Sequence, residues 1–182
     1  GFGGIWVWPM LVVFVGAATG VQTFVSQAFG AGEPKQCGRW VWQALYTLVP
    51  ASVLWVVAIE LAFGPLIRLL GPSPELQAFA TSYAHGRLLG GPAIVAAVVL
   101  TSFFRGLGDT RTPLVATVLA NLLNAVACYG LVFGRFGLPA WGVTGAGVAT
   151  ALSNWTYTAI MLCALLQRRM IATYATRPVR PD

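Results

Sequence analysis

The sequence predicts an all-α membrane protein built as a polytopic helical bundle, and three observations support this fold class. Of the 182 residues, 57% are hydrophobic and only 9% are charged, a composition outside the range of soluble domains. Several apolar runs are long enough to cross about 30 Å of hydrocarbon, which takes roughly 20 helical residues. The net charge of +6 comes from cations that lie between and after these runs. That placement indicates membrane topology and argues against nucleic acid as a partner.

Five such runs define the predicted elements. Backbone polar groups cannot stay unpaired in lipid, so each run should form a helix, with Gly and Pro tolerated where neighbouring helices satisfy the freed groups. The predicted membrane helices lie near residues 5–28, 40–63, 76–104, 113–133 and 144–166, and a polar, basic tail covers 167–182. We expect residues 1–182 to form one helical membrane bundle.

The distribution of Lys and Arg predicts the orientation. One side of the membrane carries eight cations, Lys35, Arg39, Arg105, Arg111, Arg168, Arg169, Arg177 and Arg180, and the other carries three, Arg68, Arg87 and Arg135. Cytoplasmic connections of membrane proteins carry an excess of Lys and Arg. We therefore expect a multi-pass protein of the cell membrane, inner or plasma, with the C-terminal end of the chain in the cytoplasm.

Small residues predict a close helix contact in the fifth run. Gly145, Ala149 and Ser153 share one helix face at four-residue spacing. This is the small-xxx-small pattern that lets membrane helices approach each other closely. We expect this face to pack against another helix.

A charged, Gly-rich segment separates the third and fourth runs, and we refer to residues 105–113 as the connecting turn. Its glycines allow the chain to reverse, and its Arg and Asp side chains can pair in the headgroup region. Its proline suits the first turn of the next helix, because the N–H that proline lacks would have no partner there. The predicted cytoplasmic hinge comprises Arg105, Gly106, Gly108, Asp109, Arg111 and Pro113.

Four motifs stand out along the chain. They are Val25-Ser-Gln-Ala-Phe-Gly-Ala-Gly32, Arg105-Gly-Leu-Gly-Asp-Thr-Arg-Thr-Pro113, Asn121-Leu-Leu-Asn124 and Gly142-Val-Thr-Gly-Ala-Gly-Val-Ala-Thr150. In this order they resemble the multidrug and toxic compound extrusion (MATE) family. The resemblance covers nearly the whole chain and implies a partial N-lobe of a twelve-helix MATE-type transporter, equivalent to the family's helices 2 to 6. The family's first helix and C-terminal half are expected to be absent.

The resemblance also implies a function. It implies a secondary active multidrug efflux transporter that exports organic, often cationic, compounds in exchange for H⁺ or Na⁺. No cofactor besides the coupling ion and no enzymatic activity are implied. The expected partners are the lipid bilayer, small organic substrates, and the missing first helix and C-terminal half of the same transporter.

Polar side chains at membrane depth are the candidates for a substrate or ion cavity, because such groups are costly in hydrocarbon. The candidates are Asn121, Asn124, Cys128, Thr150 and Asn154. Asn124 and Cys128 are four residues apart and share a helix face, as do Thr150 and Asn154. The other interpretation is that these groups form interhelical hydrogen bonds, worth about 0.6 kcal/mol each.

The position four residues after Asn124 departs from the family. The resemblance implies that an Asp often stands there and helps to bind a proton or Na⁺, whereas this chain has Cys128. A thiol of ordinary acidity is neutral near pH 7 and cannot replace a carboxylate as an ion ligand. The usual coupling chemistry is therefore in question at this residue.

No metal or nucleotide site is expected. Cys37, Cys128 and Cys163 show no Cys-x-x-Cys or Cys/His spacing, and His85 is the only histidine. The Gly-rich part of the connecting turn lacks the G-x-x-x-x-G-K-[ST] spacing of a phosphate-binding loop, so ATP is not implied.

Two alternatives remain open at this stage. The first is a non-transporting truncated half-transporter or partner subunit, which Cys128 and the missing first helix favour. The second is a flippase of the same superfamily that moves lipid-linked saccharides. Such proteins usually need a cationic cavity, and no Lys or Arg falls in the middle of a predicted span.

Overall fold

The computed structural model describes residues 2–69, 90–135, 137 and 139–178, and these residues contain helices and turns but no strand, which confirms the predicted all-α class. The helices are α1 (Phe2–Gly30), α2 (Pro34–Leu69), α3 (Gly91–Gly106), α4 (Arg111–Phe133), α5 (Gly142–Leu165) and α6 (Arg168–Tyr174).

Four stretches of these helices are long and apolar enough to cross a membrane, namely Val12–Gly30, Pro34–Ala58, Arg111–Phe133 and Gly142–Leu165. The third predicted run, 76–104, is described only from residue 90 onward, where α3 forms a shorter apolar helix. Large apolar side chains such as Val13, Leu54 and Phe133 are 66–74% exposed. Exposure of this kind along whole helix faces is typical of a surface that meets lipid.

Helix α3 forms the centre of the described bundle. It packs against α1 and α2 on one side and against α5 on the other, and it makes only a small contact with α4. The core that results is closely packed at the end of the bundle where α3 finishes. Its fully buried members include Val25, Val41, Val99, Phe103, Met161 and Leu165.

We call this end the basic end, because α1 and α3 finish there, α2 and α4 begin there, and seven of the described cations lie in these connections and the tail. They are Lys35, Arg39, Arg105, Arg111, Arg168, Arg169 and Arg177, whereas Arg135 lies at the opposite end.

Helices α4 and α5 form an antiparallel pair joined through the predicted small-residue face. Gly145, Ala149 and Ser153 are all buried, as expected for a helix contact. The Ser153 hydroxyl donates a hydrogen bond to the Ala120 carbonyl of α4 (3.1 Å). The prediction of a close contact along this face is confirmed.

The tail after α5 is folded against the basic end. The Thr176 hydroxyl donates to the Leu165 carbonyl (2.7 Å), and the Trp42 indole N–H donates to the Thr176 carbonyl (3.0 Å). Gly38 of α2 lies directly against the Tyr174 carbonyl, where a side chain would not fit. A segment that the sequence predicts only as polar and basic therefore closes one end of the core, and residues 179–182 lie outside the described residues.

Gly145→Ala should loosen the α4–α5 pair. An added Cβ would lie 2.6 Å from the Leu131 carbonyl oxygen, which also accepts the Trp141 N–H (2.8 Å). Because the obstacle is backbone, the helices must move apart, and we expect the free energy of unfolding to fall by about 1–3 kcal/mol. Unfolding of the purified chain in detergent micelles measures this.

Gly20→Ala is the matched control for that substitution. Gly20 lies inside α1, and apart from the adjacent backbone of its own helix no atom lies within 4 Å of the position of its added Cβ. Alanine is the better helix former by about 1 kcal/mol, so this variant should be neutral or more stable. Equal destabilisation of both variants would contradict the close contact at Gly145.

Candidate functional site

The connecting turn is a tight helix ending followed by a capped helix start. The Gly108 N–H donates to the Arg105 carbonyl (3.0 Å), and the Asp109 N–H donates to the Phe104 carbonyl (2.9 Å). Gly108 has a φ of +80°, the left-handed conformation that this type of helix ending requires. Helix α1 ends in the same way, with left-handed Gly32 followed by Glu33, whose N–H donates to the Ala28 carbonyl (3.0 Å).

Asp109 provides the hydrogen bonds that begin α4. Its Oδ1 atom accepts the backbone N–H groups of Arg111 (3.0 Å) and Thr112 (3.1 Å), and its Oδ2 atom accepts the Thr112 hydroxyl (2.6 Å). Partial burial tends to raise the pKa of this carboxyl, but those hydrogen bonds and the nearby Arg111 charge outweigh burial and hold the pKa below its ordinary value. Pro113 lies in the first turn of α4, as predicted, and it is buried.

Close packing against α1 leaves no room for a side chain at Gly106. Its Cα faces α1, and an added Cβ would lie 2.8 Å from a Val25 methyl group and 3.1 Å from the Gln22 carbonyl oxygen. The connecting turn is therefore fixed from two sides, by α1 against Gly106 and by the Asp109 cap.

A polar segment interrupts the buried face of α4. In the half of α4 nearest the basic end, this face carries the buried residues Ala116 and Ala120. Asn124 and Cys128 continue the same face at four-residue spacing, and both are half-buried. Asn121 lies at the edge of this face and is exposed. Asn124 lies near the midpoint of α4, a 23-residue apolar helix long enough to cross about 30 Å of hydrocarbon.

The two candidates of α5 differ in their surroundings. The Thr150 hydroxyl donates to the Ala146 carbonyl of its own helix (2.9 Å). Asn154 is half-buried beside the start of α3, where a Cβ added at Gly90 would lie 3.2 Å from the Asn154 amide nitrogen.

The contacts between α4 and α5 show which candidates lie at the same depth. Ser153 meets Ala120 and Gly145 meets Leu131, so the antiparallel register places Thr150 level with Asn124. Asn154 lies closer to α3 and to the basic end. Within the part of the chain that the structure describes, the side chains of Asn121, Asn124 and Asn154 make no hydrogen bond. Their role as cavity residues stays a prediction.

Sequence reasoning missed a cavity of about 380 Å³ between α1 and α2. Its walls include Phe24 and Trp40, whose rings stack with centroids 4.7 Å apart, together with Gln43 and Thr47. The spacing of Trp40, Gln43 and Thr47 puts them on one face of α2, a signal that was available in the sequence. Nothing in the sequence shows that Phe24 of α1 would complete this aromatic wall.

Comparison with known proteins identifies the family. A family model described as MatE matches residues 4–130, which is more than half of the chain. The chain belongs to the MatE family. The matched residues run from α1 through most of α4, so they include the connecting turn, Asn121, Asn124 and Cys128.

Relatives of this MatE chain are named as multidrug resistance proteins. It is 30% identical over 161 residues to the probable multidrug resistance protein NorM of Thermotoga maritima, covering 88% of this chain and 35% of that protein. It is 33% identical over 156 residues to the multidrug resistance protein PmpM of Pseudomonas aeruginosa, covering 83% and 31%. The chain thus spans about a third of the length of these relatives.

Solved MATE structures share the fold. The structure titled "Crystal structure of MATE in the bent conformation" matches with a TM-score of 0.79 and 24% identity, over 90% of this chain and 36% of that one. The eukaryotic MATE transporter AtDTX14 matches with a TM-score of 0.76 and 21% identity, over 94% and 36%. The expected fold, a partial N-lobe of a MATE-type transporter, is confirmed.

Asp109→Ala should weaken the start of α4. Loss of a side-chain cap costs about 1 kcal/mol of stability, whereas Asp109→Asn keeps an acceptor oxygen and should lose much less. Unfolding of the three proteins in detergent measures the difference.

The pH dependence of that difference has a definite sign. Because the folded pKa of Asp109 is lowered, the contribution of its charge is complete above the unfolded pKa of about 3.9 and is lost as the pH falls through the folded value. The stability gap between Asp109→Ala and the native chain should therefore stay constant down to about pH 5 and narrow below about pH 4. A gap that widens on acidification would contradict the assigned cap.

Proposed function

We propose that this chain forms most of the N-terminal lobe of a secondary active exporter of organic, often cationic, compounds, driven by inward movement of H⁺ or Na⁺. The observation that supports it most is the half-buried polar face of α4 at mid-membrane depth, level with Thr150, in a chain whose relatives are named as multidrug resistance proteins. Polar side chains at this depth cost free energy when they face lipid, and they are commonly found where a helix borders a water-filled cavity.

In this proposal Asn124, Thr150 and Asn154 line the central cavity. Asn124 supplies an uncharged oxygen to the coupling ion, and no carboxylate stands at position 128. The acid that couples export to the ion gradient then belongs to another part of the full transporter. The aromatic cavity between α1 and α2 offers ring faces that attract organic cations.

The basic end faces the cytoplasm in this proposal, because Lys and Arg concentrate in its connections. Alternating access then comes from rigid-body rocking of two lobes about the cavity. The complete transporter needs the first helix and C-terminal half of the family, and the connecting turn braces the cytoplasmic ends of α3 and α4.

A second candidate is a partner subunit that packs like a lobe but does not transport. Cys128 favours this candidate. It stands where the family often has an acidic residue, and a cysteine there does not provide the carboxylate that would balance the charge of the ion.

The test is efflux of an organic cation by a full-length protein that carries this lobe, in vesicles with an imposed pH or Na⁺ gradient. We expect gradient-dependent efflux by the native protein and by Cys128→Asp. Asn124→Ala should lower the rate at least roughly tenfold, because a hydrogen bond to a charged group contributes about 1.5–3 kcal/mol.

Thr19→Ala is the control variant for this experiment. Thr19 is exposed on α1, and its hydroxyl bonds to the Gly16 carbonyl of its own helix (2.7 Å), so efflux should be unchanged. The 182-residue chain in liposomes serves as the negative control and should show no efflux. Activity in Cys128→Asp but none in the native protein would overturn the proposal and support the partner subunit.

A further inference from the structure

We infer that the basic end carries a binding site for an anionic phospholipid, formed by α4, α5 and α6. Two adjoining cavities make up this site. A polar basin of about 410 Å³ has Asp109, Gln167, Arg169 and Thr173 in its walls. An apolar groove of about 640 Å³ runs between α4 and α5 from there.

The basin and the groove are continuous. Thr112, Ala164 and Gln167 line both of them, so a molecule in one can extend into the other. Arg111 stands in the wall of the groove, at its mouth, because it is the first residue of α4. The combination of a polar cavity with an apolar extension fits an amphipathic ligand.

The dimensions of the groove fit an acyl chain. Its walls are Val115 of α4 and Ala159, Ile160 and Cys163 of α5, and it reaches as far as Thr156. From Ala164 to Thr156 the groove covers about 12 Å of α5, most of a single leaflet of about 15 Å. Val115 is 56% exposed, so the groove opens on the outside of the bundle, where lipid lies.

The charge of the site selects a phosphate. Arg169 lines the basin and Arg111 lines the groove; both are exposed, and neither forms an ion pair with an acidic side chain in the described part of the chain. Asp109 is the one carboxylate in the basin wall, and both of its oxygens already accept hydrogen bonds from α4. Basic pockets between membrane helices bind anionic headgroups, because Arg pairs well with phosphate oxygens.

These observations favour a lipid over a soluble anion. A free phosphate fills only the basin and leaves the apolar groove open to solvent or detergent. A lipid with its phosphodiester at Arg111 and Arg169 fills both and ties α6 to the connecting turn. The site is separate from the mid-membrane polar face, and its existence does not depend on transport.

The test is binding of phosphatidylglycerol to the purified chain in detergent micelles, titrated with a fluorescent lipid and checked by native mass spectrometry. Phosphatidylcholine tests the need for net charge, and glycerol 3-phosphate tests the headgroup alone. We expect saturable binding of phosphatidylglycerol, much weaker binding of phosphatidylcholine and none of glycerol 3-phosphate.

Two variants separate charge from shape. Arg111→Gln with Arg169→Gln should weaken phosphatidylglycerol binding roughly thirty-fold, since two favourable cation contacts are lost. Cys163→Phe fills the groove without changing charge and should also weaken binding. Arg135→Gln removes a cation from the opposite end and should bind like the native chain.

Three results would overturn the inference. They are equal binding of both lipids, unchanged binding by the double Arg variant and by Cys163→Phe, and competition by glycerol 3-phosphate, which would reduce the site to one for a soluble phosphate. If the double Arg variant does not fold, Cys163→Phe still tests the inference, because unchanged phosphatidylglycerol binding by that variant would overturn it.

Discussion

Hydrocarbon leaves no water to satisfy polar groups, and this constraint governs the structure from backbone to site. Every membrane-depth segment described here is helical, so the backbone pairs within each helix. Threonine hydroxyls follow the same rule, and those of Thr19, Thr47, Thr101, Thr117, Thr150 and Thr156 each donate to a carbonyl of their own helix. A carboxamide has more hydrogen-bonding capacity than one such contact can use. Asn124 lies on the inner face of α4, and for this reason we propose that its carboxamide meets water, an ion or a substrate in the full transporter.

Helix α3 determines how the two halves of the described bundle are held together. One half is α1 with α2, the other is α4 with α5, and α3 contacts both while the folded tail covers the basic end. Gly106 fits against α1 at the point where the connecting turn begins, so the start of α4 is positioned by the first half of the bundle. Such coupling suits a lobe that moves as one body. The proposed phospholipid site lies at this cation-rich basic end.

Sequence reasoning reached those features that depend on a single helix. Hydropathy located the membrane helices, the spacing of Gly145, Ala149 and Ser153 identified a contact face, and Pro113 with Gly108 located the turn. Features that are formed by contacts between two or more segments could not be predicted from the sequence. Helix α2 continues to Leu69, beyond the predicted end at residue 63 and through Gly64 and Pro65. The aromatic cavity, the docked tail and the alignment of Thr150 with Asn124 each require the register between separate helices.

Cysteine accessibility can show whether the polar face of α4 borders water at the middle of the membrane, as we propose. In a full-length protein carrying this lobe, with Cys37, Cys128 and Cys163 replaced by alanine, single variants N124C, T150C and L122C would be treated with a membrane-impermeant thiol reagent. Leu122 is 61% exposed on the opposite, lipid-facing side of α4. We expect N124C and T150C to react, because thiolates form in water, and L122C not to react. Reaction of L122C together with protection of N124C would contradict it.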